Sequence, residues 1–288
     1  MNNKTVKSID IDAVIDIVKT AGDTTQKMQG SVVGVDKADG SPVSAADKES
    51  SRIVVEGLGA LTPMIPVVSE EASVEENAIA RLSDLRWVVD PLDGTRTYLD
   101  GYEGYGCHLA LMDGDTPVLG FAYFPSADEN NTQLYYTDHD GKSYKQTGED
   151  DAVVITIKGP QTSPDKLTAA TGWKDKTLTL QDTDIDLVRA VGGGRLCVTA
   201  EGETDIAIFN GYFSDWDLAA AHAIIKGAGG DLFDMETGEP IKYDTDNFVV
   251  RPSFGGHKDT VEALLKKDFH DAAQKKPFSA ARKRGPNL

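Results

Sequence analysis

One apolar run that ends in two carboxylates and a glycine constrains the fold of this chain more than any other segment. Residues 85–95 read Leu-Arg-Trp-Val-Val-Asp-Pro-Leu-Asp-Gly-Thr. The largely apolar residues 85–89 predict a short strand that is buried on both faces. Pro91 disfavours helical backbone at Asp90, so we expect the strand to end there and the chain to turn. Asp90 and Asp93 then lie at the mouth of a strand, which predicts an ion site.

The turn after this strand predicts a pocket that holds a cation and an anion together. Gly94 permits close approach of the backbone, and residues 95–99 are expected to form a short helix. The N–H groups of Gly94 and Thr95 then face the same space as the two carboxylates, which suits a phosphate held against metal ions. An isolated Asp-x-x-Asp is more often a turn whose carboxylates accept backbone hydrogen bonds, so the ion site depends on further acids.

Two further segments deliver acids from comparable positions. The apolar run at residues 65–69 predicts another short strand, and Glu70 follows it directly. Ser214 or Asp215 is the expected N-cap of an alanine-rich helix whose first turn holds Asp217. Taken alone, Asp217 is interpreted as an acid that complements the helix dipole. Together with the other acids it is a candidate fourth carboxylate.

Three motifs, taken in their order along the chain, resemble those of the inositol monophosphatase superfamily, which comprises magnesium-dependent, lithium-sensitive phosphatases. They are Glu70-Glu71, residues 90–95 (Asp-Pro-Leu-Asp-Gly-Thr) and residues 216–220 (Trp-Asp-Leu-Ala-Ala). The resemblance extends to residues 41–47 and 227–230, so it covers most of the chain. It implies an α/β (α+β) fold, a layered α-β-α-β sandwich of the inositol monophosphatase and fructose-1,6-bisphosphatase type.

The resemblance implies a role for each matching residue. The expected ligands of two or three Mg²⁺ ions are Glu70, Asp90, Asp93, Asp217 and the main-chain carbonyl of Leu92, with Asp47 near the most weakly held ion. The expected catalytic residues, which orient the attacking water, are Thr95, Glu70 and Asp47. The expected substrate-binding residues are Asp93, Gly94, Thr95, Gly193, Gly194 and Asp217. Hard oxygen ligands suit Mg²⁺, which prefers a few carboxylates together with substrate phosphate oxygens.

The pattern along the chain predicts elements that agree with this architecture. Apolar spacing predicts a helix capped by Ser8 and a second helix over residues 45–58. The polar, glycine-containing segment 30–40 between them is expected to form a mobile flap over the site. Residues 105–136 alternate apolar segments with turn residues, which predicts hairpins.

A change of composition near residues 148–151 predicts a subdomain boundary, because the chain is acidic and irregular there. An N-terminal α+β subdomain, residues 1–148, is expected to carry most metal ligands. A C-terminal α/β subdomain, residues 149–288, is expected to supply Asp217 and substrate contacts. By resemblance, the site lies between the two.

Details of the motifs favour a nucleotide substrate. Residues 37–47 and 65–71 look closer to 3′(2′),5′-bisphosphate nucleotidases than to inositol phosphatases. Inositol phosphatases usually carry a glutamate four residues after the aspartate of a Gly-x-x-Asp stretch, and here Phe209 holds that position. Phenylalanine accepts no hydrogen bonds from inositol hydroxyls. The preferred substrate is 3′-phosphoadenosine 5′-phosphate, with inositol 1-phosphate or another sugar or histidinol phosphate as alternatives.

The glycine run at residues 192–194 and the following Arg195 have two interpretations. The run can present N–H groups and one cation to a second phosphate, or it can be a helix-entry turn from which Arg195 reaches solvent. Many bacterial nucleotidases carry an arginine before Asp215. This chain lacks it, and residues 210–213 read Asn-Gly-Tyr-Phe.

Two other classes of protein compete with this interpretation. Haloacid-dehalogenase-like phosphatases place their nucleophile in Asp-x-Asp-Gly-Thr, whereas the acids here are spaced Asp-x-x-Asp, so Asp90 and Asp93 do not match that geometry. A family member can also keep its fold and act as a catalytically silent, metal-binding regulatory subunit. Retention of every expected carboxylate and of Thr95 favours catalysis, since a scaffold has no need to crowd like charges.

Charge and composition exclude several partners. The net charge of −18 argues against binding of nucleic-acid polymers, whose phosphates would be repelled. Apolar stretches are only strand-length and the N-terminus does not resemble a signal peptide, so we expect no membrane partner and a cytoplasmic location. The expected partner is a small phosphate ester, with a possible homodimer. Cys107 and Cys197 are expected to be buried free thiols, and His222 to be a packing residue.

Overall fold

A computed structural model describes residues 2–37, 40–162, 166–172, 178–180, 183–243, 249–266 and 269–271. Part of the predicted flap, namely Ala38 and Asp39, lies outside the described residues. The end of the predicted C-terminal subdomain, residues 272–288, lies outside them as well.

The helices of the described residues are α1 (Asn2–Val6), α2 (Ile11–Met28), α3 (Ala45–Leu61), α4 (Val74–Ala80), α5 (Thr95–Leu99), α6 (Gly194–Ala200), α7 (Asp215–Gly227) and α8 (Lys258–Leu265). The strands are β1 (Val35–Asp36), β2 (Pro42–Val43), β3 (Val67–Ser69), β4 (Leu85–Asp93), β5 (Gly106–Asp113), β6 (Thr116–Phe124), β7 (Gln133–Thr137), β8 (Ser143–Thr147), β9 (Val153–Val154), β10 (Lys166–Thr171), β11 (Leu178–Leu180), β12 (Asp184–Arg189), β13 (Ile206–Phe209), β14 (Phe213–Ser214), β15 (Asp231–Asp234), β16 (Val249–Val250), β17 (Ser253–Gly256) and β18 (Phe269–Asp271).

Two large sheets organise the chain. The first has seven strands in the order β3-β4-β5-β6-β7-β8-β9, and it is antiparallel apart from the parallel pair β3 and β4. The second has five strands in the order β12-β10-β13-β17-β15. There β10 runs parallel to β12 and β13, while β17 runs antiparallel to β13 and β15. Smaller two-stranded pairings join β1 to β2, β11 to β18 and β14 to β16.

The sheets alternate with helices, and apolar side chains fill each boundary between layers. Helices α2 and α3 cover one face of the seven-stranded sheet, where Val18 and Leu58 pack with Trp87. Helices α6 and α7 lie between the two sheets, with Leu218 in the shared core. Val261 of α8 packs on the outer side of the five-stranded sheet. The predicted α-β-α-β layering is confirmed, and α8 adds a helix beyond it.

A glycine permits the close packing of α7 on the seven-stranded sheet. A Cβ atom at Gly120 of β6 would lie 2.2 Å from the carbonyl oxygen of Ala220 in α7. Such a distance is far inside van der Waals contact, so any larger residue would push the helix away from the sheet. Because α7 begins with Asp217 in its first turn, this contact also contributes to placing that carboxylate.

Two local predictions were wrong. Asp10, not Ser8, caps α2, and its side chain accepts from the N–H of Ala13 at 3.1 Å. Ser8 instead follows α1 and donates to the carbonyl of Thr5. Strand β4 does not end at Asp90 but continues to Asp93, because a bulge absorbs the proline between them. The predicted boundary near residue 148 falls in the turn between β8 and β9, and it stays a prediction.

Candidate metal centre

Three carboxylates converge where the bulge of β4 meets the first turn of α7. Oxygens of Asp90, Asp93 and Asp217 all lie within 4.8 Å of one another. The first two side chains are buried and Asp217 is half-buried. The bulge places both β4 acids on the side that faces α7, although they are an odd number of positions apart. Sequence reasoning named all three, and the structure brings them together.

Backbone N–H groups hold each of these carboxylates. The N–H of Leu92 donates to Asp90 at 3.0 Å, and that of Ser214 donates to Asp217 at 2.7 Å. The N–H of Gly193 donates to Asp93 at 3.1 Å, across the gap between the two halves of the chain. These bonds fix the three side chains while leaving other carboxylate lone pairs for a ligand.

The cluster carries more negative charge than its surroundings compensate. Burial raises the pKa of Asp90 well above its usual value, and the charges of Glu70, Asp93 and Asp217 raise it further. Burial raises the pKa of Asp217 well above its usual value, and the charges of Asp93, Glu70 and Asp215 raise it further. Burial also raises the pKa of Asp93, although His108 and the Gly193 N–H oppose that rise. A bound cation would remove this repulsion, and carboxylate oxygens suit Mg²⁺.

Glu70 stands at the edge of the cluster. Its backbone N–H donates to Val89 of β4 at 3.1 Å, which places the end of β3 beside the bulge. Its carboxylate accepts a hydrogen bond of 2.8 Å from the Nζ atom of Lys37, which also donates to Glu71 at 2.6 Å. Burial opposes protonation of Lys37, yet the two glutamates keep its pKa above the ordinary value. Lys37 therefore neutralises part of the charge at this edge.

Thr95 and Asp47 form a second group beside the cluster. The Thr95 hydroxyl lies 2.8 Å from Oδ1 of Asp47, to which it can donate, and 3.1 Å from the Leu92 carbonyl oxygen. The other oxygen of Asp47 accepts the N–H and the hydroxyl of Ser44, each at 2.7 Å, in the capping box of α3. The predicted neighbours Thr95, Asp47 and Leu92 thus meet, and the helix cap holds Asp47 in place.

The glycine run after β12 closes over Asp93. A Cβ atom at Gly192, whose φ is +42°, would lie 1.9 Å from the carboxylate oxygens of Asp93. Gly193 contributes the N–H described above, while Gly194 begins α6 and is buried. On the other side of the turn, a Cβ atom at Gly94 would lie 2.5 Å from the side chain of Val191. Of the predicted substrate-binding glycines, Gly193 and Gly94 lie against the site and Gly194 supports the loop.

The glycine run is a helix-entry turn, as one interpretation had it, but the expectation that Arg195 reaches solvent was wrong. Its side chain is buried and donates to the carbonyl of Ile208 at 3.0 Å. Its guanidinium lies over the rings of Phe209 and Phe213, at 4.7 and 5.2 Å from their centroids. Stacking on aromatic faces and a hydrogen bond to a carbonyl hold the cation near Asp93, where its charge opposes the rise in the pKa of that carboxyl.

Sequence reasoning missed two features of the site. His108 of β5 is opposite Asp90 in the sheet register, and its Nδ1 lies 3.6 Å from Asp93. The antiparallel register of β4 and β5 was the signal that would have found it. The second feature is a buried ion pair, in which the guanidinium of Arg81 contacts both carboxylate oxygens of Asp215, with Nη2 at 3.0 Å from Oδ1. The two residues are 134 positions apart, so no local pattern links them.

A cavity of about 620 Å³ adjoins this centre. Its lining includes Arg96, Tyr102, Val191, Arg195, Asn210 and Phe213. Gly192, which packs against the carboxylate of Asp93, is also part of the lining, so the cavity and the acid cluster share a wall.

The remaining expectations concern residues away from the centre. Cys107 and Cys197 are buried and unpaired. His222 is buried within α7, and its ring nitrogens lie 2.6 Å from Asp231 and 3.1 Å from the Tyr243 hydroxyl. Within the described part of the chain, the helices lack the combination of length and hydropathy that crossing a membrane would need.

The chain is similar to known proteins over most of its length. The model of the inositol monophosphatase family matches residues 2–272. The 3′(2′),5′-bisphosphate nucleotidase CysQ of Escherichia coli O6:H1 is 30% identical over 250 residues, which are 85% of this chain and 98% of that protein. A solved CysQ structure from Bacteroides thetaiotaomicron has a TM-score of 0.68 at 23% identity, covering 85% of this chain and 96% of that one. An inositol monophosphatase from Zymomonas mobilis has a TM-score of 0.67 at 22% identity, covering 89% and 96%.

Proposed function

The chain belongs to the inositol monophosphatase family and is a phosphatase, and we propose that it acts as a 3′(2′),5′-bisphosphate nucleotidase. The proposed substrate is 3′-phosphoadenosine 5′-phosphate, the proposed product pair is adenosine monophosphate and phosphate, and the proposed cofactor is two or three Mg²⁺ ions. The observation that carries this proposal is a cluster of three carboxylates that shares a wall with a cavity of about 620 Å³. A cavity of that size lies within the usual range for small-molecule sites.

The donor set supports the metal part of the proposal. Asp90, Asp93, Asp217 and Glu70, with the carbonyl of Leu92, would hold the ions through oxygen atoms alone. When bound, the ions supply Lewis acidity, which polarises the phosphate ester and makes a water molecule more acidic. The unfavourable like charges of the cluster are what such ions offset.

Thr95 and Asp47 are the proposed pair that orients the attacking water. The hydroxyl of Thr95, hydrogen-bonded to Asp47, can accept a hydrogen bond from a water on its other side. The capping box keeps Asp47 from turning away, and Glu70 can receive a proton at the edge of the centre. The backbone of the glycine loop packs directly on Asp93 and donates the Gly193 N–H to it, which holds that carboxylate in place. No group of the chain needs to become phosphorylated.

The alternatives have weaker support from the site. Phe209 is fully buried and stacks on Arg195, so it offers no hydrogen-bond acceptor to an inositol ring. Inositol 1-phosphate and other sugar or histidinol phosphates therefore come second. A silent regulatory role would leave the Thr95–Asp47 contact without a use. The cytoplasmic location and the homodimer stay predictions from sequence.

A phosphate-release panel tests the proposal. Purified protein is given 3′-phosphoadenosine 5′-phosphate, inositol 1-phosphate, fructose 1,6-bisphosphate and histidinol phosphate at equal concentrations, with and without Mg²⁺. We expect the nucleotide to have the highest kcat/KM, with activity that requires Mg²⁺ and is inhibited by lithium. A higher kcat/KM for any other substrate would overturn the proposed substrate, and full activity in excess chelator would overturn the metal mechanism.

A further inference from the structure

The cavity beside the metal centre is built to hold the part of a substrate that lies beyond the reacting phosphate. Thr95 and Arg96 are consecutive residues of α5, yet the hydroxyl of Thr95 faces Asp47 and Arg96 lines the cavity. On the opposite side, Gly192 touches Asp93 and also lines the cavity. A molecule whose phosphate lies at the acid cluster can therefore extend into this space.

The cavity wall is mostly apolar and includes an exposed aromatic ring. Val191 and Phe213 form part of the wall, and Tyr102 is 63% exposed at its rim. The backbone of Tyr102 is fixed, because its carbonyl accepts from Nε2 of Gln29 at 3.1 Å and its N–H donates to Thr97 at 3.1 Å. A ring on an anchored backbone suits stacking against a planar base.

Arg96 is the cation that this cavity offers to a ligand. Of the two arginines in the lining, Arg195 is buried and bonded to Ile208, whereas Arg96 is exposed. Among the described residues, no carboxylate lies within ion-pair distance of Arg96. Asp100 lines the same cavity four residues further along, and its charge disfavours an anion close to it.

We propose that Arg96 binds the second, unreacting phosphate of a nucleoside bisphosphate whose base lies against Tyr102. This assignment rests on the proposed function and names the residue that distinguishes a bisphosphate from a monophosphate. A guanidinium can donate two parallel hydrogen bonds to a phosphate, and its planar fork makes it better suited to this than an ammonium group. The segment before Asp215 contributes Asn210 to the same cavity.

A comparison of two substrates tests the assignment. 3′-Phosphoadenosine 5′-phosphate and adenosine 3′-monophosphate share the scissile phosphate, and only the first carries a second one. We expect Arg96→Gln to raise KM for the bisphosphate about 10- to 100-fold relative to KM for the monophosphate, the size of a lost hydrogen-bonded charge contact. The kcat values should change little, because the reacting groups are untouched. Arg96→Lys should restore part of the difference.

A matched control and a second variant make the test specific. Arg52→Gln removes an exposed arginine held by Glu49 and Glu56 on α3, and it should leave the KM ratio unchanged. Tyr102→Ala should raise KM for both nucleotides by similar factors, since both carry the base. Equal effects of Arg96→Gln on the two substrates, or none on either, would overturn the assignment while leaving the proposed function standing. Failure of the wild-type protein to hydrolyse the bisphosphate would instead overturn the proposed function.

Discussion

Two aspartates in the first turn of α7 are charged alike but placed in opposite surroundings. Asp215 is buried against Arg81, whose guanidinium contacts both of its oxygens and also lies 6.0 Å from the ring of Trp216. Asp217, two residues later, faces Asp90 and Asp93. We call the first arrangement the Arg81–Asp215 pair and the second the acid cluster. The charge of Asp215 is neutralised by a residue of the chain, whereas the acid cluster requires a positive charge from a bound ion.

This difference separates a structural use of buried charge from a functional one. The Arg81–Asp215 pair ties the end of α4 to the start of α7, so it helps to hold the turn that carries Asp217. The acid cluster lowers the stability of the metal-free protein, because its members repel one another away from water. Asp215, whose charge Arg81 neutralises, therefore helps to position Asp217, whose charge no such partner neutralises within the acid cluster.

The strongest test of the acid cluster is removal of one charge from its centre. Asp93→Asn keeps the shape of the side chain but removes a negative oxygen from the point where β4, His108 and the Gly193 loop meet. We expect Mg²⁺-dependent phosphate release to fall about 10³-fold or more, since electrostatic stabilisation of the transition state is lost. Steady-state phosphate release measures it. Asp140→Asn, an exposed change in the turn before β8, should leave the rate unchanged.

The Arg81–Asp215 pair should respond in stability first. Arg81→Met leaves a buried carboxylate without its cation, and we expect the free energy of unfolding to fall by about 3–5 kcal/mol. Urea denaturation followed by circular dichroism measures this. The double variant Arg81→Met with Asp215→Leu should recover most of the loss, because it buries no unpaired charge. A double variant as unstable as the single one would contradict this account of the pair.

The features that could be predicted from the sequence are those that depend on residues close together along the chain or on a recognised motif. Asp90, Asp93 and Gly94 lie within one turn, where strand pattern, proline and glycine act locally, and the resemblance then added Glu70 and Asp217 from distant motifs. The family and the layered fold are confirmed. The roles assigned to individual site residues stay predictions.

The predictions that were wrong, and the contacts that were missed, also have physical reasons. Pro91 was expected to end β4, but pairing with β5 continued past it because a bulge removed the need for its N–H. Arg195 was open to two interpretations, since only the folded chain brings Phe209 and Phe213 beneath its guanidinium. No local sequence pattern indicates the Arg81–Asp215 pair, because the two residues are 134 positions apart. Long-range pairing decided these cases, and local propensity carries no information about it.

A variant of the acid cluster should gain stability where it loses function. Asp90→Asn removes one of three repelling charges, so the metal-free protein should be more stable by about 1–2 kcal/mol near pH 7. Added Mg²⁺ should raise the melting temperature of the wild-type protein much more than that of the variant. Thermal denaturation with chelator and with Mg²⁺ measures both effects. Equal stabilisation of the two proteins by Mg²⁺ would mean that Asp90 is not a ligand.

The same repulsion predicts how stability depends on pH. The pKa values of Asp90, Asp93 and Asp217 are raised in the folded protein, so the folded state binds more protons than the unfolded state above about pH 4. The contribution of the cluster to stability is therefore fully present below the unfolded pKa and is lost as pH rises through the folded pKa. Other acids act in the opposite direction, because the pKa of Asp138 and of Asp231 is lowered.

The difference between two proteins isolates the cluster from these other acids. In chelator, the stability of the wild-type protein minus that of Asp90→Asn should become more negative from pH 5 to pH 8, by about 1 kcal/mol. Mg²⁺ displaces the protons that the three carboxylates bind, so the affinity of the protein for Mg²⁺ should increase from pH 5 to pH 8. Calorimetric titration at several pH values measures that affinity and the protons released. A difference that stays constant with pH would show that the pKa of Asp90 is not raised into this interval, and the contrast with the Arg81–Asp215 pair would then rest on geometry alone.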